Sequence, residues 1–238
     1  MIKNWTVISQ PVKKKSRGLA EYLHYLNNPH HKNHTGKTDI YAVYGSAKTF
    51  YTNTINAVAE RGKITAAKRR GGRSIASFAQ SFVFTLPHQK KNRPTVWQWR
   101  NIAKKLTRDI CDFTELSVTE LNNNLFINIH DQSNPHLNLV ISKVIGGEVR
   151  KELQKKSIIN LLKKSFNQAV IQELGLSNFD YEPESKNSRR TSIEYYKQHK
   201  LNQTHTEFQV EPDNHRENEK LAFTQLYTRQ HKNKYKRG

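Results

Sequence analysis

The groups in this chain best suited to chemistry crowd into Asn128–Ser142, where His130, Asp131, Asn134, His136 and Asn138 fall close together. Imidazole nitrogens with amide and carboxylate oxygens form a ligand set suited to a divalent cation. His136 and Asn138 stand two residues apart, which places both on one face of a strand, while Leu137, Leu139 and Ile141 take the other. Upstream, Leu125–His130 alternates in the same way: Leu125, Ile127 and Ile129 oppose Phe126, Asn128 and His130. Asp131–Pro135 is turn chemistry, because Asp, Ser and Asn bond their own backbone and Pro135 fixes φ. Paired as a hairpin, the two strands bring His130, or Asn128, to the face that carries His136 and Asn138. A polar pair on a strand is ordinarily a solvated face. Here the pair is imidazole and amide rather than Lys or Glu, Pro135 directly precedes it, and the opposite strand faces are strongly apolar.

Elements able to position such a cluster can be read along the chain. Trp5–Ser9 reads as a short strand ended by Pro11. Lys13–Gly18 reads as a basic loop, and Leu19–Leu26 as a helix with Leu19, Leu23 and Leu26 on one side. Tyr22 and Tyr25, three apart, lie near each other on that helix. His30-His31-Lys32-Asn33-His34 reads as a solvated turn whose spacing also permits adventitious metal binding. Asp39–Tyr44 is a candidate strand, Ala47–Arg61 a helix, and Lys63–Arg73 a basic loop. Ile75–Leu86 is uncharged on both faces and is expected to be a central strand. Thr95 is placed to cap a helix in which Val96, Trp99, Ile102/Ala103, Leu106, Ile110 and Phe113 face the core. Cys111 lies in that helix with no positioned base and reads as inert. After the hairpin, Ile145-Gly146-Gly147 marks a turn. Ser157–Leu174 is an amphipathic helix, closed by Gly175. The main elements run strand–helix–helix–strand–helix–strand–strand–helix. This is an α+β fold with a central antiparallel β-sheet and helices packed on it.

Asp131, Asn134, Pro135 and His136, with the apolar strand behind them, resemble the metal motif of plasmid mobilisation relaxases, the MobA/MobL-like nicking enzymes with an HUH-endonuclease-like fold. Asn138 stands where most members carry a second histidine, and His130 lies one residue nearer to His136 than the usual upstream ligand. Leu19-Ala20-Glu21-Tyr22-Leu23-His24-Tyr25-Leu26 resembles the tyrosine helix of the same family. Tyr25 takes the nucleophile position and Tyr22 is the reserve. The resemblance implies site- and strand-specific DNA nicking and rejoining at a plasmid origin of transfer, through a phosphotyrosine intermediate, to begin conjugative mobilisation. It implies Mg²⁺ or Mn²⁺ on His136, Asn138 and His130, with Asp131 orienting a ligand histidine. It also implies single-stranded origin DNA with a hairpin as partner, alongside accessory mobilisation proteins. Rolling-circle replication initiators use similar groups, but there the tyrosine generally follows the histidine motif, whereas Tyr25 precedes it. A DNA- or RNA-binding protein without catalysis is the reading from another class.

The 238 residues include 40 Lys and Arg against 20 Asp and Glu, a net charge of +20. That excess favours a polyanionic partner. Lys14, Arg17, Lys68, Arg69, Arg70 and Arg73 are expected to meet DNA phosphates, as are Arg189 and Arg190. A single cysteine excludes an internal disulfide and any cysteine-rich zinc site. No apolar run is long enough to span a bilayer and no export signal opens the chain, so no membrane role and a cytoplasmic location are expected. Apolar residues thin out from Asp180. The expected division is a nicking domain over 1–179 and a basic, partly helical or disordered arm over 180–238, with Tyr195 and Tyr196 as stacking aromatics.

Overall fold

The computed structural model describes residues 5–34, 38–67, 74–87, 93–132 and 134–179. In chain order the elements are β1 (Thr6–Pro11), α1 (Lys15–Asn27), β2 (Asp39–Tyr44), α2 (Ala47–Ala67), β3 (Ala79–Thr85), α3 (Val96–Thr114) and the short α4 (Val118–Asn122). They continue with β4 (Leu125–Asp131), β5 (His136–Ser142), a two-residue pair β6 (Val144–Ile145) and β7 (Glu148–Val149), and α5 (Lys156–Leu174). Five strands form one sheet in the order β1-β3-β5-β4-β2, with every neighbour antiparallel. The α+β expectation holds.

β5 lies at the centre of this sheet and all seven of its residues are buried, as are all seven of β3. A strand covered on both faces needs apolar or hydrogen-bonded residues throughout, and that is the composition of both. One sheet face carries Phe82, Phe84, Leu125, Ile127, Ile129, Leu137, Leu139 and Ile141, which pack under α3 and α5. Trp99 of α3 stacks on Phe166 of α5 there, with ring centres 6.4 Å apart and planes 8° apart. α3 begins at a complete capping box between Thr95 and Gln98. Such a cap stabilises a helix by about 1 kcal/mol.

The other sheet face carries Ala79, Phe126 and Val140 beneath α1 and α2, whose Leu19, Leu23, Leu26 and Phe50 complete a second, smaller core. Along this face each strand keeps its period of two while the residue type changes. Phe126 and Val140 give way to Asn128 opposite Asn138, then to His130 opposite His136. The apolar half is roofed by α1, and the polar half lies at its last turn, where Asn128 and His130 meet the Leu26 carbonyl. Gly18 lets α1 approach its own lead-in, since a Cβ there would sit 1.9 Å from the Lys13 carbonyl oxygen.

Several boundaries differ from the sequence reading. α1 starts at Lys15, so Lys15–Gly18 is helix rather than loop. α2 continues to Ala67, which moves Lys63–Ala67 from the expected basic loop into a helix. β2 enters the order between α1 and α2 as an edge strand on β4. α4, with its own Ser117–Glu120 capping box, was not anticipated. Gly146 and Gly147 both take positive φ, 61° and 74°, and turn β6 into β7 as a two-residue hairpin turn requires.

Candidate active site

β4 and β5 pair so that His130 faces His136 and Asn128 faces Asn138, and all four side chains are buried. The two imidazole centres are 5.0 Å apart. Two imidazoles that share one ion at about 2.1 Å place their centres at roughly this separation. Each ring has one nitrogen engaged by a backbone carbonyl. His130 Nε2 lies 3.0 Å from Leu26 O, and His136 Nδ1 lies 3.0 Å from Asn134 O. A ring nitrogen facing a carbonyl must carry the proton, which leaves the other nitrogen as a lone pair. That other nitrogen of His130, Nδ1, is buried and has no hydrogen-bond partner.

The environment keeps both rings neutral. Burial lowers the pKa of His130 to about 4, helped by the neighbouring His136 and His34 and opposed by the Leu26 carbonyl. Burial likewise lowers that of His136, with His34 adding to the effect and the Asn134 carbonyl opposing it. The two asparagines form a relay: Asn138 Nδ2 donates to Asn128 Oδ1 at 3.2 Å, and Asn128 Nδ2 donates to Leu26 O. Asn138 thus spends its nitrogen on Asn128, and its oxygen is the end left for a cation. Among the described residues no group of three His, Cys, Asp or Glu side chains could hold a metal ion. Any ion here takes the amide oxygen of Asn138, or water or substrate, beside the two imidazoles.

Tyr25 and Tyr22 stack at 6.1 Å on the same side of α1 but have different surroundings. The Tyr22 hydroxyl is 2.7 Å from Ser81 Oγ on β3, and burial pushes its pKa up to about 12. Tyr25 lies among histidines. Its ring is stacked on His34 at 4.8 Å, and meets His31 edge-on at 5.1 Å and His130 at 5.7 Å. Burial raises the Tyr25 pKa as well. Sequence spacing alone left the two tyrosines close to equivalent. The fold ties Tyr22 to a strand and brings Tyr25 against His130.

Two expectations are corrected. The His30–His34 turn is not simply solvated. His34 packs 5.0 Å from His130, its Nε2 is buried with no hydrogen-bond partner, and burial lowers the pKa of His31. Asp131 does not orient a ligand histidine. Strand alternation turns it away from His130, and Arg93 holds it instead through Nε at 2.8 Å and Nη2 at 2.5 Å. The same guanidinium donates to Gln132 O at 2.5 Å, fastening the hairpin tip to the lead-in of α3. The orienting acceptors of the two histidines are backbone carbonyls, which no side-chain motif announces.

Lys14 and Arg17 are exposed at the start of α1 and both pair with Glu21, at 3.8 and 2.8 Å. Lys68, Arg69, Arg70, Arg73, Arg189 and Arg190 lie outside the described residues, as do Tyr195 and Tyr196. Among the described residues no helix is long and apolar enough to cross a membrane.

The fold has counterparts among solved structures. The MobM relaxase domain (MOBV; Mob_Pre), bound to plasmid pMV158 oriT DNA with Mn, aligns over 81% of this chain and 98% of its own, with a TM-score of 0.53 and 12% identity. A second Mn-bound structure of that domain, at pH 4.6, covers 81% and 99% at a TM-score of 0.52 and 11% identity. A third, bound to 26-nucleotide oriT DNA, covers 80% and 99% at 0.50 and 12%. The chain has a relaxase fold. No family model and no curated protein matches its sequence. The likeness therefore carries the relaxase architecture alone.

Proposed function

We propose that this protein is a relaxase: a site- and strand-specific DNA nicking and rejoining enzyme acting on single-stranded plasmid DNA at an origin of transfer. The observation that carries the reading is the neutral pair His130 and His136, each locked by a backbone carbonyl, with Tyr25 packed against His130. MobM relaxase domains of the same fold have been solved with oriT DNA and Mn, which supports both partner and cation class.

His130, His136 and the Asn138 oxygen would hold a divalent cation, Mg²⁺ or Mn²⁺. Imidazole ligation tilts the choice towards Mn²⁺. The three ligands are uncharged, so the ion's full double charge would be available to a phosphodiester. Bound there, it would withdraw electron density from the scissile phosphate. The Tyr25 hydroxyl attacks phosphorus and the bond to the 3′ oxygen breaks. The phenolic proton ends on that leaving oxygen, leaving a 5′-phosphotyrosyl link and a free 3′-hydroxyl. The link keeps the energy of the original phosphodiester, so the reverse attack by a 3′-hydroxyl reseals the strand with no nucleotide. Tyr22, tied to Ser81, serves as packing beside Tyr25, while Lys14, Arg17 and the basic segments at 68–73 and 180–238 supply salt-dependent DNA affinity.

Incubating the protein with a pool of single-stranded transfer-origin oligonucleotides and Mn²⁺ tests this reading. Cleaved product with a free 3′-hydroxyl and protein on the 5′ end, abolished by EDTA, is expected. Tight binding without cleavage of any member would favour a nucleic-acid-binding protein with a non-catalytic site.

A further inference from the structure

The outer side of α3 carries an unusual combination. Trp97 is 68% exposed, although tryptophan is the largest apolar surface a protein can bury. Arg100, Lys104 and Arg108 are exposed as well. Steps of three and four residues align all four side chains along one helical stripe, roughly 16 Å long at 1.5 Å per residue. Among the described residues none of these three cations is ion-paired. The nearby Asp109 is held instead by Lys105 at 3.2 Å. Core packing needs none of these residues, because Trp99, Ile102, Ala103, Leu106 and Ile110 supply the buried side.

We infer that this stripe is a second contact surface for single-stranded nucleic acid, with a base stacked on Trp97 and phosphates along Arg100, Lys104 and Arg108. An aromatic platform beside a line of cations is the combination that holds unpaired strands without reading sequence. The start of the stripe is also tied to the hairpin that carries the site, although α3 packs on the opposite face of the sheet. Four residues before Trp97, Arg93 grips Asp131 and Gln132 at the tip of the hairpin that carries His130 and His136. Along α3, Trp97 stands nearest this anchored end and the three cations follow it. A duplex would meet the cations but offer no free base face to Trp97. An acidic protein segment could use the same charges, but the +20 net charge and the link to the hairpin favour nucleic acid.

The test uses the full chain, a fluorescent oligothymidylate and anisotropy titrations over a range of salt. W97A should weaken binding roughly tenfold, with W97F recovering most of the loss. The triple variant R100S/K104S/R108S should lower the slope of log affinity against log salt by about 2, near 0.7 per phosphate contact. A control triple, K156S/K163S/K164S, removes the same charge from exposed positions of α5 and should change the slope less. Circular dichroism and a melting curve on each variant verify folding. Equal effects of the two triples would reduce the stripe to net charge and overturn the inference. A silent W97A would also overturn it, pointing to a duplex or an acidic protein as the occupant. The surface does not depend on nicking: a protein that never cleaves DNA but shows these binding losses would refute the proposed function and keep this inference.

Discussion

His130 offers a prediction whose size can be worked from the structure. The side chain is fully buried at 0% exposure, and its pKa is lowered to about 4 from an ordinary 6.5. Because the folded value lies below the unfolded one, the unfolded chain binds more protons between them and stability rises with pH across that window. The contribution is complete above about pH 6.5, shrinks as the pH falls through the window, and is gone below about pH 4. At pH ~5 the loss from this one ring is about 2 kcal/mol, and over the whole window roughly 3 kcal/mol. Urea unfolding with EDTA present, near pH 7 and near pH 5, measures the change. The same pair of measurements on His130→Phe supplies the reference, because carboxylate effects are common to both proteins and cancel. The wild type should lose about 2 kcal/mol more than the variant on acidification. Equal losses would show that burial does not hold His130 neutral in the fold down to pH ~5, and would overturn the account of its environment.

Three further outcomes follow from the same geometry. Tyr22→Phe removes the hydroxyl bonded to Ser81 and should cost about 1 kcal/mol in chemical denaturation while leaving the covalent DNA intermediate intact. Tyr25→Phe should abolish that intermediate with DNA affinity retained, read by denaturing gel beside anisotropy. Arg93→Ala unfastens the hairpin tip; because Arg93 and Asp131 are 45% and 31% exposed, the stability loss should stay near 1 kcal/mol. Amide exchange over 131–136 should rise more clearly in that variant than global stability falls.

The hairpin was legible in the sequence because period-two alternation is local. Leu125–Ile129 and Leu137–Ile141 each declare a buried face, and Asp131–Pro135 declares the turn between them. The pairing of His130 with His136, and of Asn128 with Asn138, then follows from strand geometry. Helix α3 was equally plain, since Thr95 and Gln98 sit next to the apolar stripe they initiate. What stayed hidden depended on long-range return of the chain. The Leu26 carbonyl reaches His130 across 104 residues, and nothing in either local pattern encodes that meeting. His34 read as a turn residue because its burial comes from Tyr25 and His130 packing over it, not from its own neighbours. Asp131 attracted a catalytic role by standing beside His130, whereas adjacent residues on a strand point to opposite faces. Arg93, 38 residues upstream, turned out to be its partner.

Peptide mapping of the covalent protein–DNA intermediate tests the central claim most directly. Single-stranded DNA from a transfer-origin library is incubated with the protein and Mn²⁺, boiled in detergent, and the attached DNA trimmed to a nucleotide before mass spectrometry. A nucleotide adduct on Tyr25, lost with EDTA and in Tyr25→Phe, is the predicted result. An adduct on Tyr22 or on a histidine would contradict the assignment of the nucleophile, and no adduct across the whole library would contradict the nicking activity itself.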